Sequence, residues 1–358
     1  MRIVLSGYYG FDNVGDEAIL FSIIQALRVV DPTIEITVLS NQPKKTEETY
    51  GVSAVDRWNL KQVIGAIKVS DGLISGGGSL LQDKTGFRSV PYYAGVMKIA
   101  QFLGVPVFVY AQGMGPIDKG INRFIVKQVL KRTLITVRDS ASEALLREIG
   151  LKNEIDLVPD PVLGISLSSR ESSWWDLQEF SGQVITVSVR DWPSSVDFKE
   201  KIAKGLDKAV SDGASVVFVP MHGEHDDKTS REVAEMMSNK SYIAPYDASI
   251  DEKIIIIGKS QLLVGMRLHA LIFSSVMDTP FIALSYDPKI DAFAELAGQP
   301  VAGHVNETGW DEDSLYQLIS QTLEHQEEEV SILREKVSPL KEKAQETAYK
   351  AVQYFKSK

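Results

Sequence analysis

Short apolar runs alternate with longer amphipathic stretches along most of the chain, and this alternation constrains the fold more than any other feature. "RIVLSG" (2–7), "IEITVLS" (34–40), "PVFVYAQG" (106–113) and "LITVRDS" (134–140) read as buried strands. Between them lie segments of helical period: about Asp16 to Val30, "YYAGVMKIAQFLG", "INRFIVKQVLKRT" and "SASEALLREIG". The last of these starts on serine and ends on Gly150, as helices do. Strands separated by helices predict βαβ units and parallel sheet. The pattern lapses at 166–182, "SLSSRESSWWDLQEFSG", and restarts with "VITVSVRDW", "SVVFVPMH" and "PFIALSYD".

At 358 residues the chain is long for a single core. We therefore expect an N-terminal domain over 1–168, a linker centred on 166–182, and a second domain over 183–330. The tail 331–358 is expected to be helical, broken near Pro339, and to pack back on the first domain. The net charge of −10, with no basic tract in the sequence, argues against nucleic acid as the main partner. With no cysteine, thiolate metal sites are excluded, and the composition fits a cytoplasmic protein. The start "MRIVLSGYYGFDNVGDEAIL" does not read as a signal peptide, and no long uncharged apolar run predicts a membrane span.

In open α/β sheets, ligands gather beyond the carboxyl ends of strands. "SGYYGFDNVGDE" (6–17) places Gly7, Gly10 and Gly15 there with Asp12, Asn13 and Asp16. It matches neither a dinucleotide nor a P-loop pattern. One reading is a plain strand-to-helix turn capped by Asp16; the other is a carboxylate edge that holds sugar hydroxyls or serves as a base. "SGGGSLLQD" (75–83) offers Gly76, Gly77, Gly78 and Gln82, with backbone N–H groups expected just before a helix. "YAQGMGP" (110–116) adds Gln112.

Three arginines follow apolar runs: Arg138, Arg190 and Arg267. Each could be half of a structural Arg–Asp pair, or a two-pronged ligand for phosphate or carboxylate. His269 lies two residues beyond Arg267; in an extended segment both side chains would point the same way. His222 and His225 have metal-ligand spacing, although a polar loop after a strand looks the same.

Together "GYYGFDNVGDEAI", "SGGGSLLQD", "YAQGMGP", "TVRD", "VSVRDW" and "GMRLHALIFS" resemble the polysaccharide pyruvyl transferase family, from residue 3 to about 290. Within it they are most similar to the CsaB type, the ketal-pyruvyltransferases of bacterial secondary cell-wall polymers used in S-layer anchoring. The resemblance implies a GT-B-like α/β fold, two Rossmann-like domains with parallel sheets facing an interdomain cleft. It also implies phosphoenolpyruvate as donor, phosphate as product, and no cofactor or metal. The implied acceptor is a lipid-linked N-acetylmannosaminyl-N-acetylglucosamine, ketalised on O4 and O6, with work at the inner face of the cell membrane and peripheral contact with it. Carried onto this chain, Arg267, the Leu268 backbone and His269 match the donor site, joined by Arg190 or Arg138. Gly10, Asp12, Asn13, Asp16, Gly76, Gly77, Gly78, Gln82 and Gln112 fall on the acceptor side, with His269 and Asp12 or Asp16 as the proton-handling pair.

Two other classes stay open. A nucleotide-sugar glycosyltransferase on the same fold would want a carboxylate for the ribose after the donor motif, where "ALIFSSVMDTPFIALSYD" has only Asp278 and Asp287. A catalytically silent glycan-binding module would have no use for Arg267 and His269 together.

Overall fold

The computed structural model describes residues 1–83, 88–167, 169 and 171–358. They form two compact units: Met1–Ile165 with Leu340–Lys358, and Ser166–Pro339.

The first unit runs β1 (Arg2–Ser6), α1 (Val14–Val30), β2 (Glu35–Ser40), α2 (Pro43–Tyr50), β3 (Ser53–Asp56), α3 (Leu60–Lys68), β4 (Gly72–Ser75) and β5 (Gly78–Leu81). It continues through α4 (Ser89–Phe102), β6 (Val107–Met114), α5 (Gly120–Leu130), β7 (Thr133–Val137), α6 (Ser140–Glu148) and β8 (Ile155–Leu157). Its eight-stranded sheet has the order β3-β2-β1-β4-β6-β7-β8, with β5 paired to β6, and every recorded pairing is parallel. The order reverses between β1 and β4, which places a topological switch point above Ser6 and Ser75.

The second unit holds α7 (Ser173–Asp176), β9 (Val184–Ser188), α8 (Phe198–Ser211), β10 (Ser215–Phe218), α9 (Gly223–Met236), β11 (Tyr242–Ile243) and α10 (Ile250–Lys259). Then come β12 (Leu262–Gly265), α11 (Leu268–Val276), β13 (Phe281–Ser285), α12 (Pro288–Ala297), β14 (Val301–His304), α13 (Glu312–Glu324) and the start of α14 (Gln326–Lys356), which belongs to the first unit from Leu340 on. Its sheet order is β11-β10-β9-β12-β13-β14, again parallel, with the switch between β9 and β12.

Local chemistry accounts for these elements. The Asn13 side chain accepts from the Gly15 N–H at 3.1 Å and caps α1, with Asp16 and Glu17 in the first turn. The cap is therefore Asn13, not Asp16. Asp139 caps α6 by accepting from the Ser142 N–H at 2.7 Å. β6 is buried at all eight positions, as a central parallel strand requires. In α10, four consecutive isoleucines are buried in a helix, because burial on the sheet outweighs their strand preference.

Three expectations need correction. α14 is one continuous helix with Pro339 inside it, because losing one ladder bond does not stop a helix whose Leu333, Val337, Ala344 and Ala348 are all buried. From Ser172 on, the serine-rich stretch counted as a linker packs within the second unit. There Ser172 donates to Glu252 at 3.1 Å, Lys259 pairs with Asp176 at 2.8 Å, and Trp175, Phe180 and Tyr242 form a chain of ring contacts. Finally, Gly76–Gly78 do not precede a helix. Gly78 opens strand β5, all three glycines are buried, and α4 begins only at Ser89.

Candidate functional site

In the second unit, side chains converge beyond the carboxyl ends of β9, β10, β12 and β13. Arg190 follows β9 and lies over the rings of Trp192 and Tyr286, 5.1 and 4.6 Å from their centroids. Its Nη1 donates to the Tyr286 hydroxyl at 2.8 Å and its Nε to the Asp191 carbonyl at 3.4 Å. Asp191 spends its carboxylate on Lys199 at 2.7 Å, so among the described residues Arg190 makes no ion pair with a carboxylate. An arginine stacked on two rings and left without a counter-charge is preorganised for an incoming anion.

Arg267 behaves differently. Its Nε donates to Asp226 Oδ2 at 2.9 Å and its Nη2 to Oδ1, a two-pronged pair with a carboxylate that is 1% exposed. The Met221 N–H also donates to Asp226, at 3.2 Å. One edge of the Arg267 guanidinium is therefore committed inside the protein. Its Nη1 has no hydrogen bond among the described residues, so what it can offer a ligand is the outer edge of the guanidinium, on Nη1 and the second N–H of Nη2.

Arg267 is the residue before α11, and His269 lies in the first helical turn, half-buried. The expected extended segment with both side chains aligned is absent, because the helix begins at Leu268 and turns His269 by its own period. Leu268, the first helical residue, brings its backbone N–H to an open helix N-terminus, where N–H groups lack intrahelical partners.

His222 precedes α9 in the same region. Burial lowers its pKa first, and the positive charges of Arg267 and Arg190 lower it further, against Asp226. Its imidazole is thus held toward the neutral form while sensing both arginines. The His222 and His225 rings lie 5.4 Å apart, but the neighbouring acid of the motif, Asp226, is engaged by Arg267. Among the described residues no group of three or more His, Asp or Glu is arranged to hold a metal. Lys253, buried behind these loops, donates to the carbonyls of Pro220, Pro245 and Tyr246 at 2.8, 3.3 and 2.9 Å; burial lowers its pKa to about 8.

Arg138, the alternative partner, lies in the first unit and pairs with the buried Asp160 at 2.9 Å, which makes it half of a structural pair. Nearby, the first unit gathers the remaining candidates around β1. Asp12 has φ +58°, is exposed, and pairs with Lys45 at 2.6 Å. Asp16 is half-buried in the first turn of α1, and its charge helps to raise the pKa values of Tyr8, Tyr9 and Tyr93. Gly10 is buried at φ +78°, with its N–H donating to Glu17 at 2.7 Å. A Cβ on Gly76 would lie 2.0 Å from the Tyr9 hydroxyl, so that glycine is needed for the ring behind it. Gln112, fully buried, donates to Ser75 Oγ at 3.2 Å and to the Gly76 carbonyl at 2.8 Å; Gln82 is buried too. Gln112 and the three glycines are buried within the loop.

Sequence reasoning missed several residues. Arg57, after β3, donates to the Gly7 carbonyl at 2.9 Å and to Tyr93 at 3.2 Å inside a box of Phe11, Trp58, Tyr92 and Tyr93. It follows an apolar strand just as the three chosen arginines do, so the signal was there. Glu17 holds Gly10 and accepts from Tyr50 at 2.7 Å, with burial raising its pKa. Trp192 closes the "VSVRDW" motif without being singled out, and Tyr286 had no motif to mark it.

Solved structures share the architecture at low identity. HepE of Anabaena in complex with UDP-glucose is 13% identical over 100% of both chains, with TM-score 0.63. UDP-GlcNAc 2-epimerase of Neisseria meningitidis bound to UDP-GlcNAc is 11% identical over 99% of this chain and 100% of that one, with TM-score 0.65. ADP-heptose lps heptosyltransferase II of E. coli is 15% identical over 91% and 100%, with TM-score 0.56. At such identities the likeness establishes the fold alone, which is GT-B-like, α/β with two parallel sheets. No curated protein matches the chain significantly in sequence. The model of the polysaccharide pyruvyl transferase family matches residues 13–288, a span that takes in the Asn13 cap, Arg190, His222 and the Arg267–His269 turn; the chain belongs to that family, and is a transferase of pyruvyl groups to polysaccharide.

Proposed function

We propose that the chain transfers pyruvate from phosphoenolpyruvate to a sugar diol as a cyclic ketal, releasing phosphate. The observation that carries this reading is Arg190, ring-stacked and without a carboxylate, grouped with Arg267 and a neutral-leaning His222 past the strand ends of one sheet. A three-carbon donor bearing phosphate and carboxylate suits such a cluster. Arg190 and the outer edge of Arg267 hold the donor, and the N–H groups at the start of α11 complete the anion site.

In the reaction, an acid delivers a proton to the donor methylene carbon, leaving C2 electron-deficient. A sugar hydroxyl attacks C2 and loses its proton to a base. The C2–O bond to phosphate then breaks, the second hydroxyl attacks the same carbon, and the ring closes as its proton leaves. His269 is the proposed acid, with His222 the second histidine in place. Asp12 or Asp16 is the proposed base. The acceptor we propose is the lipid-linked N-acetylmannosaminyl-N-acetylglucosamine of the CsaB type, at the cytoplasmic membrane face.

The test is turnover of phosphoenolpyruvate with a synthetic lipid-linked acceptor, read as phosphate release and as a ketal in the product mass. Consumption of a nucleotide sugar instead, with no phosphate release from phosphoenolpyruvate, would replace this reading by glycosyl transfer. Donor binding without any turnover would leave a glycan-binding module.

A further inference from the structure

Charge is unevenly distributed in this molecule. From Arg57 to Arg132 the sequence has 11 Lys and Arg against 3 Asp and Glu, a net +8 inside a chain of net −10. Right-handed crossovers in the order β3-β2-β1-β4-β6-β7 put α3, α4 and α5, the helices of this segment, on one face of the first sheet. Their inner sides share one core: Val63 and Ile67 of α3, Met97 and Ala100 of α4, Val126 and Val129 of α5. Their outer sides carry the basic residues, with Lys61, Lys68, Lys98, Lys119, Lys131 and Arg132 all exposed. Two of the three acids serve the backbone: Asp71 accepts from the Arg2 N–H, and Asp83 from those of Asp118 and Lys119.

The same outer face exposes large apolar side chains. Phe102 is 88% exposed at the end of α4 and Ile121 65% at the start of α5, with Phe124 one turn on; Leu60 and Ile64 stand one turn apart on α3, beside Trp58. Exposed apolar side chains rimmed by charge are a feature of interaction surfaces. Basic charge interleaved with exposed aromatic and aliphatic side chains is the composition that seats a protein on an anionic lipid headgroup layer. No single helix here is strongly basic and amphipathic; the pattern spans three helices. Among the described residues no helix is long and apolar enough to cross a membrane.

We propose that the α3–α4–α5 face of the first unit docks on the surface of an anionic membrane. The inference stands on charge and exposure and holds whatever the donor proves to be. Flotation of the full chain with vesicles of phosphatidylglycerol and phosphatidylcholine, against phosphatidylcholine alone, tests it. Binding to the anionic vesicles should weaken with salt. Lys61→Glu with Lys68→Glu and Lys98→Glu should lower partitioning at least about 10-fold, and Phe102→Ser with Phe124→Ser should lower it separately. Melting curves and phosphoenolpyruvate titration on the same variants distinguish lost docking from lost folding or lost donor binding. Absence of binding to anionic vesicles, or binding that both variant sets leave unchanged, overturns the proposal. So does a dimer in light scattering that Phe102→Ser with Phe124→Ser dissolves, which would assign the face to a second copy of the chain.

Discussion

Arg267 and Asp226 form a two-pronged ion pair in which the carboxylate is 1% exposed and the guanidinium is largely covered. The arginine of the R-L-H element therefore has a structural task before any ligand arrives. A buried carboxylate that loses its partner is strongly destabilising, roughly 3–5 kcal/mol. Arg267→Gln should accordingly lower the melting temperature by several degrees. Arg267→Lys should cost less, because it keeps a charge but not the fork. Thermal melts of the two variants, read with phosphoenolpyruvate titration, check this. A melting temperature equal to that of the wild type in Arg267→Gln would mean the pair contributes nothing.

Arg190 is the contrasting case, since its removal leaves no carboxylate unpaired among the described residues. Arg190→Gln should keep the melting temperature within a few degrees. Losing a charge-assisted contact should weaken phosphoenolpyruvate binding by about 1.5–3 kcal/mol. Calorimetric titration decides it: full affinity in the variant would move the donor away from this arginine.

His269→Gln separates binding from chemistry. A positioned acid or base contributes roughly 10²–10⁴-fold to rate, whereas a neutral hydrogen bond is worth only about 0.5–1.5 kcal/mol. The variant should lose at least about 10² in kcat while donor affinity falls far less. Steady-state kinetics with a synthetic acceptor, paired with direct donor binding, gives both numbers. If affinity collapses and kcat survives, the proton comes from elsewhere, and His222 is the next candidate.

Activity should survive exhaustive chelation, because the proposed donor contacts are arginine and backbone N–H groups. Assay after chelator treatment is the check. Activity lost and then restored by Mg²⁺ or Mn²⁺ would favour glycosyl transfer or make His222 and His225 ligands.

Much of the architecture was legible because it rests on local pattern. The strand at Val107–Met114 announces itself by unbroken apolar residues, and α6 by its start and its glycine end. What stayed hidden depends on residues far apart in sequence. The partner of Arg267 lies 41 positions away, and nothing in "GMRLHALIFS" marks Asp226 as its acid. The first helical turn at Leu268 is hard to see in the sequence because Gly265 and Met266 continue an apolar run whose end only the tertiary hydrogen bonds fix. The glycines at 76–78 looked like an anion loop, yet each has a steric need of its own, set by the Tyr9 hydroxyl at Gly76, by Ile19 at Gly77 and by Asp16 and a φ of +82° at Gly78.

The last prediction concerns pH and His222. Its pKa is lowered by burial and then by the two arginines, so the folded protein holds the proton less tightly than the unfolded chain. An unperturbed histidine titrates near pH 6.5. Above that value neither state is protonated at this site, and its contribution to stability is fully present. As pH falls through the lowered folded value, the unfolded chain binds more protons and that stability is lost. Wild-type protein should therefore be destabilised between pH 7.5 and 5.5 more steeply than His222→Gln, with denaturant midpoints as the readout. Saturating phosphoenolpyruvate should flatten the difference, because an anion on Arg190 and Arg267 offsets the charges that oppose protonation. Equal pH slopes in the two proteins would remove His222 from the field of the arginines. A slope difference that the donor leaves untouched would place the donor elsewhere.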